Sequence, residues 1–155
     1  MADEAERQLV VFDLAGEAYG VNIGTVREII RMQAVTHVPE TPDFVEGVIN
    51  LRGRVIPVVD LRKRFALATS EHTSDSRIVV VDIAGHDIGV IVDAVTEVLR
   101  VAGSSIESAS ALITTEDSYY MDGIAKIGDR LLILLDLDRV LQLATEQLTA
   151  QPVAA

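Results

Sequence analysis

Catalysis and metal binding need side chains that hold a proton, attack a substrate or ligate an ion, and this chain of 155 residues has few of them. Its three imidazoles, His37, His72 and His86, fall in a loop, a polar connector and a hairpin turn. Their spacing gathers no metal site, and each reads as an exposed structural histidine. The absence of cysteine removes thiolate nucleophiles, thiolate zinc sites and disulfides together. Neither a G-x-S-x-G elbow nor a glycine-rich phosphate loop occurs. The carboxylates of Asp136-Leu137-Asp138 and of Glu116-Asp117 have the chemistry for a divalent cation. The first group, however, sits where a strand gives way to a helix, the ordinary place for a capping aspartate. A non-enzymatic chain without metal or cofactor is expected. What remains is recognition by charge and shape. The basic residues Arg52, Arg54, Arg62, Lys63 and Arg64 have no aromatic ring among them. Six aromatic residues in all and a net charge of -11 count against a nucleic-acid-binding barrel, the remote alternative.

The elements that hold these residues come from an internal repeat. A shift of 69 lays Leu9–Met32 on Ile78–Val101 with ten of 24 positions identical, among them Asp13/Asp82, Gly16/Gly85, Gly20/Gly89, Glu28/Glu97 and Arg31/Arg100. A shift of 76 lays Val45–Phe65 on Met121–Leu141 and keeps Gly47/Gly123, Arg54/Arg130, Asp60/Asp136 and Leu61/Leu137. The extra length of the second copy falls between Val101 and Met121. Halves of this size bury too little surface to stand alone, so one domain is expected, with halves at about residues 8–70 and 77–145 on a shared apolar seam. The polar stretch Ala66–Ser76 reads as the connector, and residues 1–7 and 150–155 as flexible ends. Apolar residues make up 49% of the chain and aromatics 4%, so the core must be aliphatic. The apolar runs are far shorter than the roughly 20 residues of a membrane span. The acidic start has no signal-peptide pattern, and a cytoplasmic protein is expected.

β-Branched residues dominate each copy, and glycine turns cut the runs at short intervals, the pattern of small meander barrels. Hairpins are predicted through Ala15-Gly16, Gly85, Arg52-Gly53 and Gly128-Asp129. Helical spacing of Ile23, Val26, Ile29 and Ile30 behind Asn22 predicts a first helix, while Val90–Leu99 is open between helix and strand. Thr41-Pro42 predicts a short helical turn, and Asp136 caps an expected C-terminal helix over Leu137–Leu148. Pro57 within an apolar run implies an edge position or a bulge, so Arg54–Asp60 is expected along the rim of its barrel, where an edge can receive another chain. The run Arg62-Lys63-Arg64 is open between a functional patch and a solvated face.

The motif Val38-Pro39-x-x-Pro42-x-x-Val45-x-Gly47-Val48-x-Asn50-Leu51-Arg52-Gly53-x-Val55-Ile56-Pro57-Val58-Val59-Asp60-Leu61-Arg62 resembles the signature of the CheW domain, found in adaptors of bacterial chemotaxis. Phe12, Tyr19-Gly20, Val26-x-Glu28-Ile29 and Gly89-x-x-Val92-Asp93 extend the likeness to about residues 8–145. The resemblance implies a predominantly β fold of two five-stranded SH3-like barrels, with short helices and a C-terminal helix. It implies a non-catalytic scaffold, monomeric in isolation. Such a scaffold joins the cytoplasmic tips of chemoreceptors to the regulatory domain of the histidine kinase CheA, in the cytoplasm, held at receptor arrays by its partners. A CheW-like adaptor of another kinase pathway, in twitching motility or development, is the alternative. Carried over by residue, the receptor groove would use Val26 and Glu28 on the first helix, with Gly47 and the Asn50-Leu51-Arg52-Gly53 turn, and Glu28 would pair with Arg52. Kinase contacts, marked by no motif, would involve Val90 and Ile91.

Overall fold

The computed structural model describes residues 6–68, 71–108 and 120–141. Eleven strands and two one-turn helices are found there. The first copy gives β1 (Glu6–Leu14), β2 (Glu17–Asn22), β3 (Val26–Arg31), β4 (Val45–Leu51), β5 (Arg54–Asp60) and α1 (Leu61–Arg64). The second gives β6 (Arg77–Ile83), β7 (His86–Val92), β8 (Ala94–Ala102), β9 (Ile106–Glu107), β10 (Met121–Ile127), β11 (Arg130–Leu135) and α2 (Leu137–Val140). All four predicted hairpins form. In three of them the turn opens on a residue of positive φ, Ala15, Arg52 or Ala84, followed by glycine, the backbone that a tight hairpin requires.

The strands make a six-stranded sheet, β8-β1-β2-β11-β10-β9, and a five-stranded sheet, β3-β6-β7-β5-β4. The extra member of the first is the two-residue β9. Under the two sequence shifts, β1 and β2 correspond to β6 and β7, β3 to β8, and β4 and β5 to β10 and β11. Each copy therefore lends its opening hairpin to the sheet built by the other copy's remaining strands, and the sheets do not divide at the connector. Both exchanges are sealed by short parallel pairings, Ile133 with Tyr19 and Val58 with Gly89.

Packing follows from this interleaving. Alternate residues of β6 and β7 face two different cores. Val79, Val81, Val90 and Val92 join Val10, Phe12, Leu14 and Val59 in the seam between the sheets, while Ile78, Val80 and Ile91 join Ile49, Ile56 and Val58 inside the five-stranded sheet. Leu9, Val11, Leu132 and Leu134 fill the other sheet. The rings concentrate at the seam. Phe12, Tyr19, Phe65 and Tyr120 follow one another at centroid distances of 6.0, 6.3 and 6.3 Å.

Several local expectations are corrected. The predicted first helix is a 3-10 turn, Ile23–Thr25, followed by strand β3, and Asn22 makes no capping bond. Val26–Arg31 alternates between half-buried and exposed, and its backbone pairs with β6, which satisfies more groups than an isolated turn of helix. Val90–Leu99 is strand throughout except at Asp93. Thr41-Pro42 opens no helix: the Thr41 hydroxyl donates to the Val38 carbonyl at 3.0 Å within a turn. Strand β5 is not an edge, since it lies between β7 and β4. Antiparallel pairs alternate outward from the closing Leu51/Arg54 pair, so Val48/Pro57 is a non-hydrogen-bonded pair. The proline nitrogen then faces β7, where pairing begins only at Val58. The C-terminal helix starts as predicted, with the Asp136 carboxylate accepting from the Arg139 N–H at 3.3 Å, and its continuation past residue 141 lies outside the described residues. The same holds for residues 1–5, for Glu116-Asp117 and for the remainder of the insertion at 109–119.

Candidate functional site

Of the predicted groove residues, Glu28 and the Asn50–Gly53 turn come together where β3 meets the β4–β5 hairpin, while Val26 and Gly47 lie further along β3 and β4. Arg52 and Gly53 form the turn, with φ +52 and +86. The turn is braced by the Gly53 N–H, which donates to Asn50 Oδ1 at 2.8 Å. A left-handed Arg52 projects its side chain beyond the turn, and its guanidinium pairs with Glu28 on β3. The edges of the sheet thus approach each other across this pair. Val26, one turn of strand away, is half-buried against the seam. Gly47 is buried in β4 at φ +146, where Thr36 pairs with Val48 through reciprocal bonds of 2.8 and 2.9 Å. A Cβ at Gly47 would lie 2.0 Å from the Thr36 carbonyl oxygen, so only glycine lets that segment cover the β4 edge.

Two bulges shape the site. The β3–β6 register skips Arg27, and the β4–β5 register skips Glu46. Bulged residues leave the alternation and are re-aimed. Arg27 turns to Asp87 Oδ1 at 2.9 Å and Asp82 Oδ2 at 3.1 Å, while Arg54 pairs with the other Asp87 oxygen. The Asp87 side chain is only 7% exposed. Burial pushes its carboxyl up, but the bond and charge of Arg54, with those of Arg27, outweigh that and hold it below the usual carboxylate range. Glu46 reaches Lys63 Nζ at 2.7 Å. The sequence reading missed Arg27, Arg54 and Asp87 as groove residues. Their signal lay in the repeat, which has Thr96 in place of Arg27 and Ala18 in place of Asp87.

The run Arg62-Lys63-Arg64 is neither a free basic patch nor a solvated face. Arg62 grips Asp93 through two bonds of 2.9 and 2.6 Å, and Asp93 also accepts the Ala15 N–H at 2.8 Å. The bond from Arg62 is the chief cause that holds the Asp93 carboxyl low. Arg64 lies over the rings of Phe44 and Tyr120 at 5.2 and 4.7 Å and donates to the Val140 carbonyl at 2.7 Å. With the rings engaged in the seam and these cations engaged by carboxylates, rings and carbonyls, the basic cluster has no geometry for stacking bases. The three histidines are exposed, as predicted. Val90 and Ile91 correct the expectation of a kinase contact. At 2% and 4% exposure they are core residues in the second half of β7, one in the seam and one inside the sheet, with no surface to offer a partner. The exposed aliphatics are elsewhere, chiefly Val55 at 71%, Leu131 at 65% and Val98 at 53%.

A two-sheet β scaffold with paired charges between the strands of its five-stranded sheet and exposed aliphatic side chains on both sheets has the makings of a protein-interaction module. Residues 8–145 match the CheW-like domain, and the chain belongs to that family. It is 36% identical to the chemotaxis protein CheW of Bacillus subtilis strain 168 over 90% of each chain. It is 34% identical to that of Klebsiella aerogenes, over 87% of this chain and 81% of the relative. Among solved structures, the scaffolding protein TtCheW of Thermoanaerobacter tengcongensis superposes with a TM-score of 0.82 at 43% identity, covering 89% of this chain and 94% of that one.

Proposed function

We propose that this chain is a chemotaxis adaptor that joins the cytoplasmic tips of chemoreceptors to the regulatory domain of the histidine kinase CheA and catalyses no reaction itself. Likeness to chemotaxis proteins over nearly the whole chain supports the pathway. The observation that carries the receptor site is the Glu28–Arg52 pair, which ties β3 to the glycine-braced turn and leaves the Arg52 side chain 69% exposed. A planar guanidinium can hold a carboxylate and still present donors outward to a partner helix. The kinase side is assigned to exposed aliphatics of the six-stranded sheet, Val98 and Leu131, which adjoin the Glu97–Arg130 pair in sequence. Each contact is small, so assembly rests on several weak sites acting together at membrane-bound arrays, with the chain itself in the cytoplasm. No described helix is long and apolar enough to cross a membrane. Arg52→Glu and Val26→Met test the receptor site. Both are expected to leave the circular-dichroism spectrum and melting temperature nearly unchanged while weakening co-sedimentation with receptor fragments, and unchanged binding would refute the assignment.

A further inference from the structure

Two arginines, Arg52 and Arg54, leave one hairpin two residues apart, and two carboxylates, Glu28 and Asp87, stand within their reach. The structure sorts them: Arg52 holds Glu28, Arg54 holds one Asp87 oxygen, and Arg27 holds the other. The six-stranded sheet contains the same corner with parts removed. There Ala18 stands in place of Asp87, Thr96 in place of Arg27 and Gly128 in place of Arg52. Glu97 and Arg130, the counterparts of Glu28 and Arg54, are left, and they pair with each other at 3.2 Å. Thr96 occupies the same bulge as Arg27 but donates its hydroxyl to the Val11 carbonyl at 3.3 Å. Where both the carboxylate at the Asp87 position and the arginine at the tip are absent, the arginine that follows the turn takes the glutamate of the strand.

We propose that Asp87 is the positioning residue of the groove: by engaging Arg54 and Arg27 it reserves Glu28 for Arg52 and so fixes the outward guanidinium at the tip of the turn. Asp87 is nearly buried and acts through the Glu28–Arg52 pair, without touching a partner itself. Its two arginines sit on β3 and β5, at opposite sides of the β6–β7 hairpin, so one carboxylate sets the distance across the groove. The assignment rests on the receptor reading only for its binding readout. Its structural content concerns which arginine holds Glu28.

The test uses the full-length chain and two readouts. The side-chain Nε–Hε resonances of Arg52 and Arg54, assigned through lysine substitutions, report pairing directly. In Asp87→Ala the Arg54 signal is expected to become sensitive to a further Glu28→Gln change, and the Arg52 signal to lose that sensitivity. Co-sedimentation with receptor-tip fragments is expected to fall about tenfold, the scale of one charge-assisted bond. Removing the competitor in Asp87→Ala/Arg54→Ala is expected to restore binding to within about twofold of the parent. A merely structural role for Asp87 predicts no such rescue, so a double variant as weak as the single one overturns the proposal. Unchanged resonances in Asp87→Ala overturn it as well. If the parent chain fails to bind receptor fragments, the receptor reading falls, and the resonances still decide the role of Asp87. Should Asp87→Ala not fold, Asp87→Asn, which keeps the shape and drops the charge, is read by the same two measurements.

Discussion

Gly47 holds φ +146 with the Thr36 carbonyl oxygen 2.0 Å from where a Cβ would stand, so Gly47→Ala must displace backbone. The expected loss is about 2–4 kcal/mol, measured by chemical denaturation, because the clash adds to the conformational strain. Arg52 differs: its side chain is largely exposed, so Arg52→Glu should cost under about 1 kcal/mol of stability and act on binding. Two carboxylates give stability a pH dependence of definite sign. Asp93, held low first by Arg62, and Asp87, held low by Arg54 and Arg27 against its own burial, both release protons more readily when folded. Their contribution is fully present above the ordinary aspartate pKa of about 4 and is lost as the pH falls through the depressed values. Asp60 has the opposite sign, since burial pushes its carboxyl up and its ionised form is relieved as the pH drops. Arg62→Ala, by freeing Asp93, is expected to lower stability by about 1–2 kcal/mol at neutral pH and to flatten the acid limb, as melts at pH 3 and pH 7 would show.

Strands and turns were legible where one physical signal dominated. The hairpins followed from glycine at turn positions between β-branched runs, because only a few residues adopt positive φ cheaply. Strand β3 was misread because its residue types hide the two-residue period: the polar Glu28 takes a half-buried position and the apolar Ile29 an exposed one. The aliphatic spacing of Ile23, Val26, Ile29 and Ile30 then imitates one face of a helix. Pro57 misled because the edge rule concerns the direction of the missing N–H, which register alone decides. Val90 and Ile91 looked available for docking because a continuous apolar run does not say that both of its faces are covered. At the candidate site, the motif pointed to the Glu28–Arg52 pair that the structure contains, while the arginine sorting at Asp87 needed coordinates. Helix α1 shows how an element gains purpose from its surroundings. Its Arg64 reaches the Val140 carbonyl and lies between Phe44 and Tyr120, counterparts of each other in the two copies. Arg64→Ala is expected to destabilise the fold by about 1–3 kcal/mol, with Arg64→Lys recovering only part because lysine lacks the planar fork.

At the scale of the molecule, the exchange of hairpins between the copies makes each sheet depend on both. A fragment of residues 1–70 would keep β3, β4 and β5 but lack β6 and β7, which stand between them, and would leave β1 and β2 without β8 and β11. It is expected to be unfolded or aggregating, and a dispersed NMR spectrum from that fragment would refute the shared core. The aliphatic composition has its place here, since seam and sheet interiors are filled by Val, Ile and Leu while the few rings line one stretch of the seam. Two interleaved sheets, with the Glu28–Arg52 pair on one and the exposed Val98 and Leu131 on the other, suit a protein that joins two partners. The most direct test is a three-component sedimentation with receptor-tip fragments on vesicles, the regulatory domain of the kinase, and this chain. The kinase domain is predicted to enter the pellet only when the chain is present, and Arg52→Glu is predicted to leave chain and kinase domain together in the supernatant. Equal sedimentation of the kinase domain with and without the chain, or a chain that binds neither partner, would contradict the adaptor role.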